Sequence, residues 1–240
     1  MFDVLRDGFQ CLTIPRSGRY RFEVIGASWE EEILGAQIIG EVLLKKGEKI
    51  TVALGQRGTN EWCGSGATFV VKENGISGSQ PLFVAAETSY ENSCETCGFI
   101  AEASQTAFEN FEIGSSGVQE FFANDEKDIF CCGAGFLEEP KTGRLREDSV
   151  APKSYKDGLI GGKGIFDGEL TEGGFGGGGA CYYKNGHVYL GAGGGYTGGG
   201  TRINGDFCDG GGGGSFSIDK GAQFDHVYEE YGKCTITYLD

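Results

Sequence analysis

The stretch GGFGGGGACYYKNGHVYLGAGGGYTGGG, residues 173–200, decides how this chain is read. Glycine loses more backbone entropy on ordering than any other residue, so a run this rich in it should be floppy. Yet it carries Phe175, Tyr182, Tyr183, Val188, Tyr189, Leu190 and Tyr196. Three readings compete. A flexible linker mixes Gly with Ser and lacks aromatics. A dinucleotide-binding loop fits Gly193–Gly198 as GxGxxG after Val188–Leu190, but a helix must follow, and residues 197–205 hold too many glycines for one. The third reading is a folded object: extended left-handed helices of three residues per turn, packed backbone to backbone because no Cβ holds them apart. The aromatics then anchor that array to its neighbours.

Around this run, residues 158–214 hold 25 glycines in 57 positions, without the G-X-Y period or the proline of collagen. Outside it the pattern changes. Arg19–Val24 alternates, with Tyr20, Phe22 and Val24 on one face, after the turn signal Pro15–Gly18. Glu41–Leu44 and Ile50–Leu54 flank Lys45–Lys49, which reads as a short hairpin loop. Ala67–Val71 and Pro81–Ala86 are nearly continuous apolar runs and predict strands buried on both faces. Lys233–Tyr238 alternates again, with Cys234, Ile236 and Tyr238 on one face; Phe216–Ile218 and His226–Tyr228 are weaker strand candidates. The expectation is an all-β antiparallel sandwich formed by residues 1–90 and 215–240. Into it are inserted an acidic variable region, 91–157, and the glycine-rich region, 158–214. Ile100–Phe122 is compatible with a helix or with two short strands.

The formal net charge is −15, which disfavours nucleic acid and anionic membranes as partners and favours basic ones. No run of about 18 apolar residues is present to span a membrane. The first residues, Met1–Gly8, lack the basic and apolar regions of a secretory leader, so the chain reads either as cytosolic or as a piece of a longer secreted protein.

Nine cysteines are dense for a cytosolic chain. Cys94–Cys97 is a CxxC pair and Cys131–Cys132 are adjacent. No second CxxC follows, and His187 and His226 stand alone, so a zinc site is a weak reading. No βα unit surrounds the CxxC as a redox motif requires. Disulfides or buried thiols are expected, and no metal or cofactor. No nucleophile–base arrangement is legible; Asp225–His226 reads as a surface loop rather than part of a triad.

Several stretches, in order, resemble one family. Tyr20–Ala27 is similar to its opening strand closed by Gly-Ala, and Val52–Gly58 to its GQxG strand end. Gly64–Val71 followed by Pro81–Ala86 resembles GGGATxV…PLIVAAGGG. Gly133–Phe136 and Tyr155–Gly158 resemble the GAGF and FxxG steps. Gly173–Cys181 is close to GGFGGGGGGC, Gly193–Gly199 to GGGYxGG, and Tyr231–Ile236 to the closing GHGEVxI strand. Together they cover nearly the whole chain. The family is the glycine-rich extracellular region of the anaplastic lymphoma kinase and leukocyte tyrosine kinase receptors.

The resemblance implies a tumour-necrosis-factor-like sandwich with inserted polyglycine helices. It implies extracellular or cell-surface placement within a longer protein, and capture of a small basic protein ligand that brings two receptors together. It also places the ligand face near the closing strands, where Glu229, Glu230 and Lys233 fall; Lys233 reverses the charge of the family's second acidic position. The departures are specific. Glu87–Cys94 stands where the family has a glycine run, and Ser28–Ile33 where it has more glycine. No kinase motif occurs, so any kinase domain lies outside these residues, and no catalytic residue is expected within them. Two functional classes stay open: a ligand-binding module, and a structural or matrix scaffold without a dedicated ligand.

Overall fold

The alternation around Phe22 becomes strand β3 (Gly18–Ile25), with Tyr20, Phe22 and Val24 buried while Arg19 and Arg21 face solvent. The computed structural model describes residues 2–6, 8–29, 34–74, 78–87, 119–120, 131–137, 139–140, 148–184, 186–204 and 207–240. On one side β3 pairs antiparallel with β4 (Gly35–Leu44), placing Phe22 opposite Gly40; on the other it pairs with β17 (Lys233–Tyr238), placing Phe22 opposite Ile236. With β16 (Gln223–Val227) on β4 this makes a four-stranded sheet in the order β16-β4-β3-β17.

A second, six-stranded sheet is built from β1 (Phe2–Arg6), β2 (Phe9–Thr13), β5 (Lys49–Ala53), β6 (Thr68–Glu73), β7 (Ser79–Ala85) and β15 (Phe216–Ser217), paired in the order β1-β2-β5-β6-β7-β15. The two sheets pack in the manner of a sandwich. Phe22, Val24 and Ile38 from the first meet Ile50, Val52, Val70 and Phe83 from the second, with the Phe22 and Phe83 rings 5.2 Å apart. Cys234, Ile236 and Tyr238 pack against this core from the edge strand. The chain is all-β among the described residues, and both large sheets are antiparallel.

Residues 41–54 do not form the expected hairpin. Strand β4 lies in one sheet and β5 in the other, so Lys45–Glu48 carries the chain across the sandwich as an arch, closed by the Glu48 N–H on the Lys45 carbonyl at 3.1 Å. Burial explains the difference. Strand β4 has one wet face, with Glu41 and Leu43 exposed, whereas Ile50, Thr51, Val52 and Ala53 are all buried. Such a strand needs cover on both faces and a partner on each side, and it finds β2 and β6.

The far face of the six-stranded sheet carries a second core. Phe9, Phe69, Val71 and Val84 pack against Phe136, Tyr155, Leu159 and Tyr196, with Phe175 and Phe216 at its border. The rings form a continuous slab, from Phe175 through Phe9, Tyr155 and Phe136 to Tyr196 and Phe216, at centroid spacings of 4.6–5.9 Å. Phe175 and Tyr196 thus tie the glycine-rich stretch to the sheet. Tyr182 instead joins Tyr189 in a small separate cluster, and Tyr183 is exposed.

Within the glycine region the hydrogen bonds run from backbone to backbone. The Gly64 N–H donates to the Gly179 carbonyl (3.0 Å), Gly174 to Gly64 (2.9 Å), Gly179 to Ala192 (2.8 Å), Gly194 to Ser65 (3.0 Å) and Gly193 to Gly211 (2.9 Å). Short strands complete it: β9 (Lys163–Phe166) with β10 (Glu169–Glu172), and a five-stranded sheet of β11 (Tyr182–Lys184), β12 (His187–Tyr189), β14 (Phe207–Gly210), β13 (Thr201–Asn204) and β8 (Gln119–Glu120). In that sheet β12 with β14 and β13 with β8 are parallel. Apart from β8, the expectation for Ile100–Phe122 lies outside the described residues, as does the Cys94–Cys97 pair.

Glu87 sits in this network. It is buried, its carboxylate accepts the Ser65 N–H at 2.8 Å, and its carbonyl accepts the Gly213 N–H at 3.1 Å. Loss of hydration pushes its carboxyl up from 4.5 to about 7, against the opposing pull of the Ser65 hydrogen bonds.

The packing predicts that Gly194→Ala unfolds readily. A Cβ there overlaps the Gly176 carbonyl, whereas at Gly221 it meets only the Asp219 carboxylate at 3.5 Å. Chemical denaturation should show a loss of about 2–4 kcal/mol for Gly194→Ala and less than about 1 kcal/mol for Gly221→Ala. Glu87 predicts a pH dependence. Its folded pKa is raised, so its contribution is fully present below about pH 4.5, declines as pH rises from there to about 7, and is lost above. The span corresponds to roughly 3 kcal/mol. In Glu87→Gln, urea titrations across that window should lose this slope, leaving the variant no less stable than the parent above pH 7.

Candidate ligand-binding surface

The segment joining β16 to β17 holds Glu229 and Glu230, and Lys233 is the first residue of β17. The segment is an exposed connection, yet its backbone is fixed at two points. Ser28, wholly buried just past the end of β3, donates its N–H (2.9 Å) and its hydroxyl (2.8 Å) to the Glu229 carbonyl and accepts the Glu229 N–H on Oγ at 2.8 Å. Three residues on, the Gly232 N–H donates to the Gly55 carbonyl at 2.7 Å. Gly232 is buried there, packed so closely that a Cβ would overlap the Thr68 hydroxyl. The loop between these points projects its side chains outward.

The structure brings the three expected residues together and adds others. Lys233 Nζ lies 3.2 Å from Glu229 Oε1, so the reversed charge neutralises its neighbour. Glu230 Oε1 pairs with the Arg57 guanidinium at 2.7 Å. Arg57 in turn lies over the Trp29 ring at 4.6 Å and over Tyr231 at 5.8 Å. Tyr228 and Tyr231 are exposed, at 45% and 53%. The surface is therefore not a bare acidic patch: both carboxylates have cations, and the aromatic rings flank them. Exposed ion pairs of this kind contribute little stability, about 0.2–1 kcal/mol each. Trp, Tyr and Arg are, by contrast, the residue types that dominate interface energetics.

Arg57, Trp29 and Tyr231 were not singled out by sequence reasoning as binding residues. Each lies in a stretch quoted for other reasons, and only the tertiary approach of the β5–β6 connection, the segment after β3 and the β16–β17 loop joins them. Among the described residues no group of three or more His, Cys, Asp or Glu side chains is placed to hold a metal ion.

Of the two forms expected for the cysteines, disulfides or buried thiols, the described residues show the second. Cys11, Cys63, Cys181 and Cys234 carry free thiols, and no disulfide joins any two of these four. Cys11, Cys63, Cys131, Cys132 and Cys181 are buried and Cys234 is half-buried; Cys131 packs with Ala180 and Tyr182, and Cys234 borders the sandwich core, both as small apolar side chains.

Ser28→Ala removes both the hydroxyl donor and the acceptor that hold Glu229. It should lower stability by about 1–3 kcal/mol and speed amide exchange at Glu229 and its neighbours, measured by hydrogen exchange with mass spectrometry; unchanged exchange there would show that the anchor has no effect. No protein-family model matches the chain, and comparison with curated proteins gives no match.

Proposed function

We propose that this chain is a non-enzymatic protein-recognition module, the ligand-capturing region of a longer extracellular or cell-surface protein. Its sandwich is of the tumour-necrosis-factor-like kind and its glycine region an inserted array of polyglycine helices, in line with the resemblance to the receptor tyrosine kinase ectodomains named above. The ligand is a small basic protein that brings two copies together. The observation that carries the reading is the anchored β16–β17 surface: exposed Tyr228 and Tyr231, with Arg57 lying over Trp29 and ion-paired to Glu230, on a backbone fixed by Ser28 and Gly55. A surface held in place before binding lowers the ordering cost of association. The charge of −15 supports a cationic partner, drawn in by long-range attraction.

A second reading is a matrix scaffold with no dedicated ligand. The dense backbone bonding of the glycine region favours it, because such packing is rigid whether or not anything binds.

Affinity capture of basic secreted proteins, followed by kinetic binding measurements on the partner recovered, separates the two. Combined charge reversal, Glu229→Lys with Glu230→Lys, should slow association about tenfold at low salt and less at high salt, since screening removes the steering. Unchanged kinetics at every ionic strength would remove the site assignment. Absence of any partner, together with concentration-dependent self-assembly, would favour the scaffold.

A further inference from the structure

Cys63 and Cys181 are 118 residues apart in sequence, yet their sulfur atoms are 2.7 Å apart in the fold. Cys63 lies on the β5–β6 connection and Cys181 directly follows the glycine run, and both are buried. Their surroundings hold them there. The Thr171 hydroxyl donates to the Cys181 carbonyl at 2.7 Å, the Cys63 N–H donates to the Asn60 carbonyl at 3.1 Å, and Gly64 donates to Gly179 beside the pair. Donors also converge on one of the two sulfurs. Cys63 Sγ accepts the Cys181 N–H at 3.2 Å and has the Thr59 hydroxyl at 3.8 Å, whereas Cys181 Sγ faces the Asn60 side-chain oxygen at 3.2 Å.

We propose that Cys63 and Cys181 are a redox-active pair that closes to a disulfide by exchange with a small-molecule disulfide of the glutathione class, locking the β5–β6 connection to the glycine region. A disulfide has sulfurs about 2.05 Å apart, so the sulfurs need to approach by less than about 1 Å. Cys63 is the attacking group. The hydrogen bond from Cys181, with those from the Cys181 backbone and Thr59, brings its thiol down to about 7 despite burial, while Cys181 is pushed up. When the connection opens, the Cys63 thiolate attacks one sulfur of oxidised glutathione and expels one glutathione thiolate. The Cys181 sulfur, giving up its proton, then attacks Cys63 in the mixed disulfide and expels the second. Two protein thiols are oxidised and one small disulfide is reduced to two thiols, with the protons carried to the leaving groups. Reduced glutathione runs the sequence backwards.

The test uses the full chain, fully reduced and then equilibrated with oxidised glutathione at mildly alkaline pH, followed by alkylation and peptide mapping without reductant. The expected result is a Cys63–Cys181 cross-linked peptide, lighter than its two reduced halves by two hydrogens, that reductant returns to free thiols. Cys234, whose thiol burial holds at about 12, should stay alkylatable only after unfolding. The melting temperature should rise on oxidation by about 10 °C, as expected for a loop of this length, and Cys181→Ala should abolish the rise. Recovery of Cys63 and Cys181 as free thiols in folded, glutathione-equilibrated protein, or joined to other cysteines, would overturn the proposal. The peptide map of the parent chain decides this even where the variant does not fold.

Discussion

A six-stranded sheet that is apolar on both faces must be covered twice, and the second cover here is made largely of backbone. The sandwich core takes one face of β5, β6 and β7 through Val52, Val70 and Phe83. The other face presents Phe69, Val71 and Val84. An aromatic slab seals it, and behind the slab the glycine segments bring their own N–H and C=O groups, which need partners as any buried backbone does. They find one another because nothing stands between them. Glycine is used here for close approach: over most of the region a Cβ would strike a neighbouring carbonyl.

The same constraint explains where polar and reactive groups collect. Where a glycine segment meets the sheet's connections, the side chains present are small, such as Ala67 and Ala192, or serve the hydrogen bonding of the network. Glu87 does so by offering a carboxylate to Ser65 and a carbonyl to Gly213. Cys63 does so by accepting the Cys181 N–H on sulfur. The β16–β17 loop gains its fixed shape from Ser28 and from Gly55, the latter on the same β5–β6 connection as Cys63.

Much of the sandwich was legible from side-chain period alone. Tyr20, Phe22 and Val24, and likewise Cys234, Ile236 and Tyr238, alternate cleanly because each of their strands has one wet face. Burial of β6 and β7 on both sides was legible from their unbroken apolar runs. The arch at Lys45–Glu48 was not, since a short turn containing Gly47 suits a hairpin as well as a crossing between sheets. The difference lay in the contrast between half-exposed β4 and fully buried β5. At the candidate surface Glu229, Glu230 and Lys233 could be placed by resemblance, but Arg57 and Trp29 could not. Their roles depend on three segments meeting in space, and no local period encodes that meeting. The pairing of Cys63 with Cys181 is hidden for the same reason.

The register of β17 on β3 has a consequence for synthesis. Phe22 lies opposite Ile236, and Ser28 holds Glu229 across 201 residues of chain. On the ribosome, β3 emerges long before its edge partner exists, so one edge of the four-stranded sheet stays open while the whole glycine region is translated. Contacts so distant in sequence close slowly, because loop entropy must be overcome before they form. Throughout that interval the outer apolar face of β5, β6 and β7, with Phe69, Val71 and Val84, lacks its cover and is open to association with other chains, the hazard that chaperones exist to meet. The early strands can pair with one another as they emerge, β3 with β4, and β2, β5, β6 and β7 in series, but the far edge of β3 and the outer face of β5–β7 close only when translation is nearly done.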